Sequence, residues 1–298
     1  MDGTAVARSL FGRFLESDLF RRARAALEAA APPLALTGLV ESARALLLAL
    51  LQRELGRPLL LIVPDSRAAA EYRRDLQAFA VLLGGERAQR RVLRFPALDA
   101  DPYRGVPPHF QVSCERVATL HALEDNEVDL LVAPVRALSV PLPAPEEFRR
   151  GERLIAPGAT LDPEGLALHA LELGYRIVDT VTSPGELCRR GGILDVWPPH
   201  LERPRRVELY GDEVDSIRRF DPTTQRSLNV SGRFDIVPAQ EVPLTEERAA
   251  RLLRALGGGR GEAEEAGQGW SVRLAGLKEE GVLLGAEACA SLVLDEAV

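Results

Sequence analysis

The stretch Leu34-Ala-Leu-Thr-Gly-Leu-Val-Glu-Ser-Ala-Arg-Ala-Leu-Leu-Leu48 has the order of a nucleotide-binding segment: a short apolar strand, a glycine, then an apolar helix. The chemistry it would serve is the cradling of phosphate. A working loop reads G-x-x-x-x-G-K-[ST]. Its glycines let backbone N–H groups wrap the phosphates, its lysine reaches the outer ones, and its hydroxyl holds magnesium. Aligned on Gly38, this chain has Ala43 in place of the second glycine, Arg44 in place of the lysine and Ala45 in place of the hydroxyl. The one lysine of the chain, Lys278, is far away in sequence. Arginine is planar and bulkier, and does not copy a point charge in a tight loop. A Cβ at position 43 also crowds the phosphates. The segment is therefore expected to bind ATP poorly or not at all. At the far end, Ser291-Leu-Val-Leu-Asp-Glu296 is an apolar run closed by two carboxylates, Asp295 and Glu296. In an active relative one would order magnesium and the other a water. Gly38, Ala43, Arg44, Ala45, Asp295 and Glu296 thus outline a degenerate nucleotide site with no catalytic residue.

The elements that must position these residues follow from periodicity and punctuation. Leu10–Ala31 has Phe11, Leu15, Phe20 and Leu27 at near-helical spacing and ends at Pro32-Pro33. Pro58–Val63 is a continuous apolar run, as expected of a strand buried on both faces of a parallel sheet. Ser66 caps a helix over 67–83 that Gly84-Gly85 closes. A short strand over 91–95, a helix over 112–123 and a strand over 128–133 follow. This alternation predicts a doubly wound α/β sheet with helices on both faces. Val140-Pro-Leu-Pro-Ala-Pro145 breaks the pattern. Beyond it, a helix over 161–173 opens at Asp162-Pro163, and short strands follow over 192–197, 206–210 and 213–220. Gly211-Asp212 is the turn of a hairpin between the last two. The expected division is an α/β part over 1–138, an α+β insertion over 139–237, and a return to the α/β part over 238–298. That return opens with a helix capped by Thr245 and runs into a polar, glycine-rich loop over 257–269.

The bulk numbers exclude several classes. The chain has 298 residues, 46% hydrophobic and 27% charged, with a net charge of −7. An acidic chain is a poor general nucleic-acid binder. No run approaches the roughly 18 apolar residues of a membrane span, and the start lacks a signal-peptide pattern, so a cytoplasmic protein is expected. Cys114, Cys188 and Cys289 are far apart, which supports neither a disulfide framework nor a zinc ribbon. His109 and Cys114 are two ligand types without a third, so no metal is expected. Glu208, Asp212, Glu213 and Asp215 carry the donor chemistry of a metal-dependent nuclease. Arg205, Arg206, Arg218 and Arg219 are placed to pair with them across strands, which makes a charge-paired hairpin the better reading.

One block is far more specific. It contains Leu-Gly-Tyr-Arg-Ile-Val-Asp (173–179), Ser-Pro-Gly-Glu-Leu (183–187), Arg-Arg-Gly-Gly-Ile-Leu-Asp-Val-Trp-Pro-Pro (189–199) and Tyr-Gly-Asp-Glu-Val-Asp-Ser-Ile-Arg-Arg-Phe-Asp (210–221). With Phe95-Pro-Ala-Leu-Asp99, Ser113–Leu120 and Val132–Val135, it resembles the N-terminal UvrB-homology module of the bacterial transcription-repair coupling factor family. The resemblance implies a degenerate RecA/helicase-like fold that does not bind ATP. It also implies an inserted domain that contacts UvrA, the damage-recognition protein of nucleotide excision repair. In that family the longer protein continues into an RNA-polymerase-interacting domain and an ATP-dependent DNA translocase. RNA polymerase, DNA, ATP and magnesium are therefore expected only for a C-terminal part beyond residue 298, and this chain is expected to be a monomer. Carried over residue by residue, the UvrA contact falls on Arg176 and Arg190, with Arg189 and Trp197 beside them. Arginine and tryptophan are frequent interface anchors, but Trp197 also fits a core position on an alternating strand. Two alternatives stay open: a UvrB-like DNA-dependent ATPase, and a free-standing protein-interaction module.

Overall fold

A computed structural model describes residues 11–29, 33–98 and 108–242. The chain divides into two compact units. One comprises residues 1–97 and 122–138, the other 98–121 and 139–298.

The first unit is built on a three-stranded parallel sheet. Strands β1 (Leu59–Val63), β2 (Val92–Arg94) and β3 (Leu130–Pro134) lie in the order β1-β3-β2. Leu59 pairs with Leu130 and Val92 also pairs with Leu130, so β3 is central. Helices α1 (Asp18–Glu28), α2 (Glu41–Leu55) and α3 (Ser66–Arg90) share one core with the sheet. That core holds Phe20, Ala45, Leu50, Leu76, Val63, Leu130 and Val132. The α/β class expected from alternation is what the chain forms. Four local expectations are corrected. Leu34–Thr37 forms no strand; residues 33–40 are irregular, with Leu34 and Leu36 exposed. The first helix is not continuous: Ser17 takes an extended backbone and its hydroxyl accepts from Phe20 N–H, which restarts the helix at Asp18. The third helix is capped by Asp65, not Ser66, and its backbone leaves helical values at Gly85. Strand β1 buries one face. Leu60 and Ile62 point away from the helical core and are 51% and 54% exposed.

The second unit contains α4 (Phe110–Glu124, its last turn excepted), α5 (Pro145–Arg149) and α6 (Pro163–Glu172). Strands β4 (Arg153–Ile155) and β11 (Phe234–Ile236) pair antiparallel. The main sheet has six strands: β5 (Arg176–Ile177), β6 (Glu186–Arg190), β7 (Ile193–Val196), β8 (Arg205–Tyr210), β9 (Glu213–Phe220) and β10 (Ser227–Val230). Their order is β10-β9-β8-β7-β6-β5, antiparallel throughout except for the parallel pair β5–β6. Gly211 turns the β8–β9 hairpin with φ +62°. Asp162 caps α6 by accepting from Glu164 N–H.

One face of this sheet presents Leu187, Leu194, Val196, Val207, Val214 and Ile217 to a core shared with α4 and α6. Tyr175 is fully buried there and donates its hydroxyl proton to the Val237 carbonyl; burial pushes its pKa well above the usual phenol range. A smaller cluster of Val181, Cys188 and Phe220, with Val178 and Trp197 against it, fills part of the other face. Arg116 on α4 and Glu241, both buried, form an ion pair with two hydrogen bonds. Among the described residues no helix is long and apolar enough to cross a membrane, and no three His, Cys, Asp or Glu side chains are grouped to hold a metal ion.

Candidate functional site

The loop before α2 shows what its substitutions do. Gly38 has φ +81° and the helix begins after Val40, which supplies no side-chain cap. Arg44 does not reach outward. Its Nε donates to the Leu39 carbonyl at 2.9 Å and its Nη1 to the Tyr72 hydroxyl at 3.4 Å. The guanidinium is thus held on its own loop, where the Leu39 carbonyl and the Tyr72 hydroxyl compete with any phosphate for its donors. Ala45 is fully buried in the core, so the position that carries the magnesium-binding hydroxyl in a working loop points into packing. Ala43 is half-buried. Glu41 brings an exposed carboxylate into the first turn of α2, where the helix dipole would otherwise favour an anion from solution. Asp295 and Glu296 lie outside the described residues, as do Thr245 and the 257–269 loop.

The second unit places the four interface candidates at one end of the six-stranded sheet. Arg176 lies on β5, its outer strand. Its guanidinium stacks over the Phe110 ring, 3.9 Å from the centroid. Its backbone N–H donates to the Gly185 carbonyl at 2.9 Å. Gly185 has φ +82°, and a Cβ there would lie 2.6 Å from Phe110 Cζ and 2.7 Å from Cys114 Sγ. Only glycine fits both the backbone and the space. Ile177, next to Arg176, is 48% exposed. The edge strand therefore exposes a cation and an aliphatic side chain at adjacent positions; arginine is enriched in protein contacts.

Arg190 ends β6, and its Nη2 donates to the Asp179 carbonyl and to Thr180 Oγ1. Those bonds hold an exposed side chain in one orientation. Side chains of neighbouring strand residues point to opposite faces. Arg189 accordingly turns the other way and meets Glu164 of α6 at 3.1 Å. Trp197 is half-buried against Val181, Cys188 and Phe220 and donates its indole N–H to the Leu201 carbonyl at 2.8 Å. An open groove of about 630 Å³ runs along this end, lined by Ile177, Val178, Asp179, Cys188, Arg189 and Arg190. Sequence reasoning did not single out Ile177, Asp179 or Thr180. Phe110, the platform under Arg176, comes from a distant helix and leaves no local signal.

The β8–β9 hairpin resolves the question of its carboxylates. Arg206 takes a two-bond pair with Asp195, both at 2.8 Å, and Arg218 approaches Glu208 at 3.9 Å. Ser216 donates to Glu208 at 2.8 Å. Glu213 and Asp215 are exposed. The carboxylates are spread over a solvated hairpin.

A model of the UvrB interaction domain matches residues 154–242. The chain is 32% identical over 244 residues to the transcription-repair-coupling factor of Bacillus subtilis, covering 82% of this chain and 20% of that protein. It is 36% identical over 221 residues to that of Myxococcus xanthus, covering 73% and 18%. For the Escherichia coli K12 protein the figures are 31% over 199 residues, 66% and 16%. The chain spans about a fifth or less of the length of these curated relatives.

Proposed function

Because this chain carries a UvrB interaction domain and is homologous over most of its length to transcription-repair-coupling factors, we propose that it is the non-catalytic recruiting module of such a factor. Its task is to bind UvrA and bring it to RNA polymerase stalled at DNA damage. ATP-driven movement on DNA and the polymerase contact belong to the remaining four-fifths of the relatives' length. The module itself acts in the cytoplasm as a monomer without cofactor. The observation that carries the reading is that the matched segment contains an outer strand displaying Arg176 and Ile177 next to a fixed Arg190.

Acidic side chains on UvrA would meet Arg190 and Arg176 by charge-assisted hydrogen bonds, with Ile177 supplying the apolar contact. Alanine at Arg190 or Arg176 is expected to weaken UvrA binding at least about tenfold. Thermal midpoints should stay near wild type, since both side chains are exposed. Arg189→Ala, which removes a pair with Glu164, should change binding less. Surface-immobilised UvrA with the variants in solution measures this; wild-type affinity in both Arg176→Ala and Arg190→Ala would reject the surface.

The self-bonded Arg44, the buried Ala45 and the carboxylate of Glu41 support the absence of nucleotide binding. Millimolar Mg-ATP is expected to leave the thermal midpoint unchanged. A rise that disappears in Arg44→Ala would instead favour a UvrB-like ATPase.

A further inference from the structure

Strand register sets two pairs of arginines directly opposite each other across β8 and β9: Arg206 faces Arg218, and Arg205 faces Arg219. Like charges in directly opposed positions destabilise a sheet unless something neutralises them. The first pair is neutralised, by Asp195 on Arg206 and by Glu208 near Arg218. The second pair is different. It lies on the face of the sheet that carries Val207 and Ile217, one step further along each strand. Arg205 is only 7% exposed. Its Nη1 donates to the carbonyls of Arg203 and Pro204, and its Nε is buried with no hydrogen-bond partner. Among the described residues neither Arg205 nor Arg219 makes an ion pair. The carboxylate next along the chain, Asp221, is committed to Arg203 at 3.7 Å and to the amides of Thr223 and Thr224.

A buried guanidinium with an idle donor costs stability, and a second guanidinium opposite it adds to that cost. Burial, and then Arg219, lower the Arg205 pKa, which reports the same tension. One anion between the two side chains would remove both penalties. We propose that Arg205 and Arg219 form a binding site for a single carboxylate group. Carboxylate geometry matches the planar fork of a guanidinium, with Nε and one Nη donating in parallel. A nucleic-acid strand would need a run of cations along its phosphates. Here the same hairpin exposes Glu213 and Asp215, and the chain is acidic overall. The site lies on β8 and β9, with β7 between them and the β5–β6 end that carries Arg176 and Arg190, so it does not depend on the UvrA assignment. The carboxylate can come from an Asp or Glu side chain of a protein or from a small organic acid.

The test uses the whole chain and compares succinate, inorganic phosphate and chloride at matched ionic strength. Thermal stability and the side-chain Nε–H signal of Arg205 are the readouts. Succinate is expected to raise the thermal midpoint by a few degrees and to shift the Arg205 Nε–H resonance. Arg219→Gln should fold normally and bind at least about tenfold more weakly. Arg219→Glu supplies the missing carboxylate from within. It should raise the midpoint in chloride alone and abolish the response to succinate. A hexaglutamate peptide binding more tightly than succinate supports a protein source; succinate binding as tightly supports a small acid. Equal effects of succinate and chloride on the wild type would overturn the site. So would binding of phosphate without succinate, or an undiminished succinate response in Arg219→Glu.

Discussion

Glu241→Ala is expected to destabilise the second unit by about 3–5 kcal/mol, the range for breaking a buried ion pair by removing one partner. Arg116 and Glu241 are 0% and 1% exposed, and Arg116 Nη2 reaches Glu241 Oε2 at 3.0 Å in addition to the Nε–Oε1 bond. Their mutual attraction is strong because water is excluded, and for the same reason water cannot replace Glu241 once that carboxylate is removed. The cost is that of taking the anionic partner from a buried cation, so it should fall sharply when both members of the pair go. Arg116→Met with Glu241→Leu replaces the pair by apolar volume and should recover a large part of the loss. Urea denaturation followed by tryptophan fluorescence measures the wild type, Glu241→Ala and the double variant. A double variant no more stable than Glu241→Ala, or a loss below about 1 kcal/mol for Glu241→Ala, would show that the pair is not what holds α4 to the segment after β11.

Gly185→Ala is the second large effect. Two independent penalties meet at this position. An L-residue at φ +82° costs about 1–2 kcal/mol. The added methyl lies 2.6 Å from Phe110 Cζ and 2.7 Å from Cys114 Sγ, and overpacking of that kind costs about 1–3 kcal/mol. The combined loss should be about 2–5 kcal/mol. The change also reaches the proposed contact surface. Gly185 accepts from Arg176 N–H and donates to the Trp197 carbonyl, while Phe110 supports the Arg176 guanidinium. Gly185→Ala should therefore weaken UvrA binding at a temperature where the unit is still folded, with no interface side chain altered. Full-strength binding by a destabilised Gly185→Ala would separate the Arg176 perch from recognition.

The parts of the fold legible in sequence are those with a local cause. The apolar runs of β1 and β3, the Gly211-Asp212 hairpin and the Asp162-Pro163 helix start all announce themselves within a few residues. The phosphate-loop substitutions were equally readable, because each position has a known chemical duty. What was hidden depends on partners far along the chain. Strands β4 and β11 are three residues each and pair across most of the second unit, so neither shows a period. All four residues of β10 are exposed, which removes the alternation that marks a strand. Leu34–Leu36 had strand composition but forms none, since residue type alone does not supply a neighbouring strand. At the candidate site the arginines stood out by type. Their separation onto two faces required the strand assignment, and the Phe110 platform required the fold.

The interleaved path of the chain has a consequence for its biosynthesis and for any attempt to dissect it. Residues 98–121 belong to the second unit, yet 122–138 belong to the first. Arg116 leaves the ribosome 125 residues ahead of Glu241. During that interval α4 presents Phe110, Cys114 and Val117 without the later segments that bury them. The nascent chain is thus open to chaperones, and to aggregation, until the hairpins arrive. A fragment begun at residue 139 would make this condition permanent, because it lacks α4 and leaves Glu241 without its guanidinium. Surgery on the module should start upstream of α4 and preserve the 122–138 excursion, or replace it with a short flexible bridge.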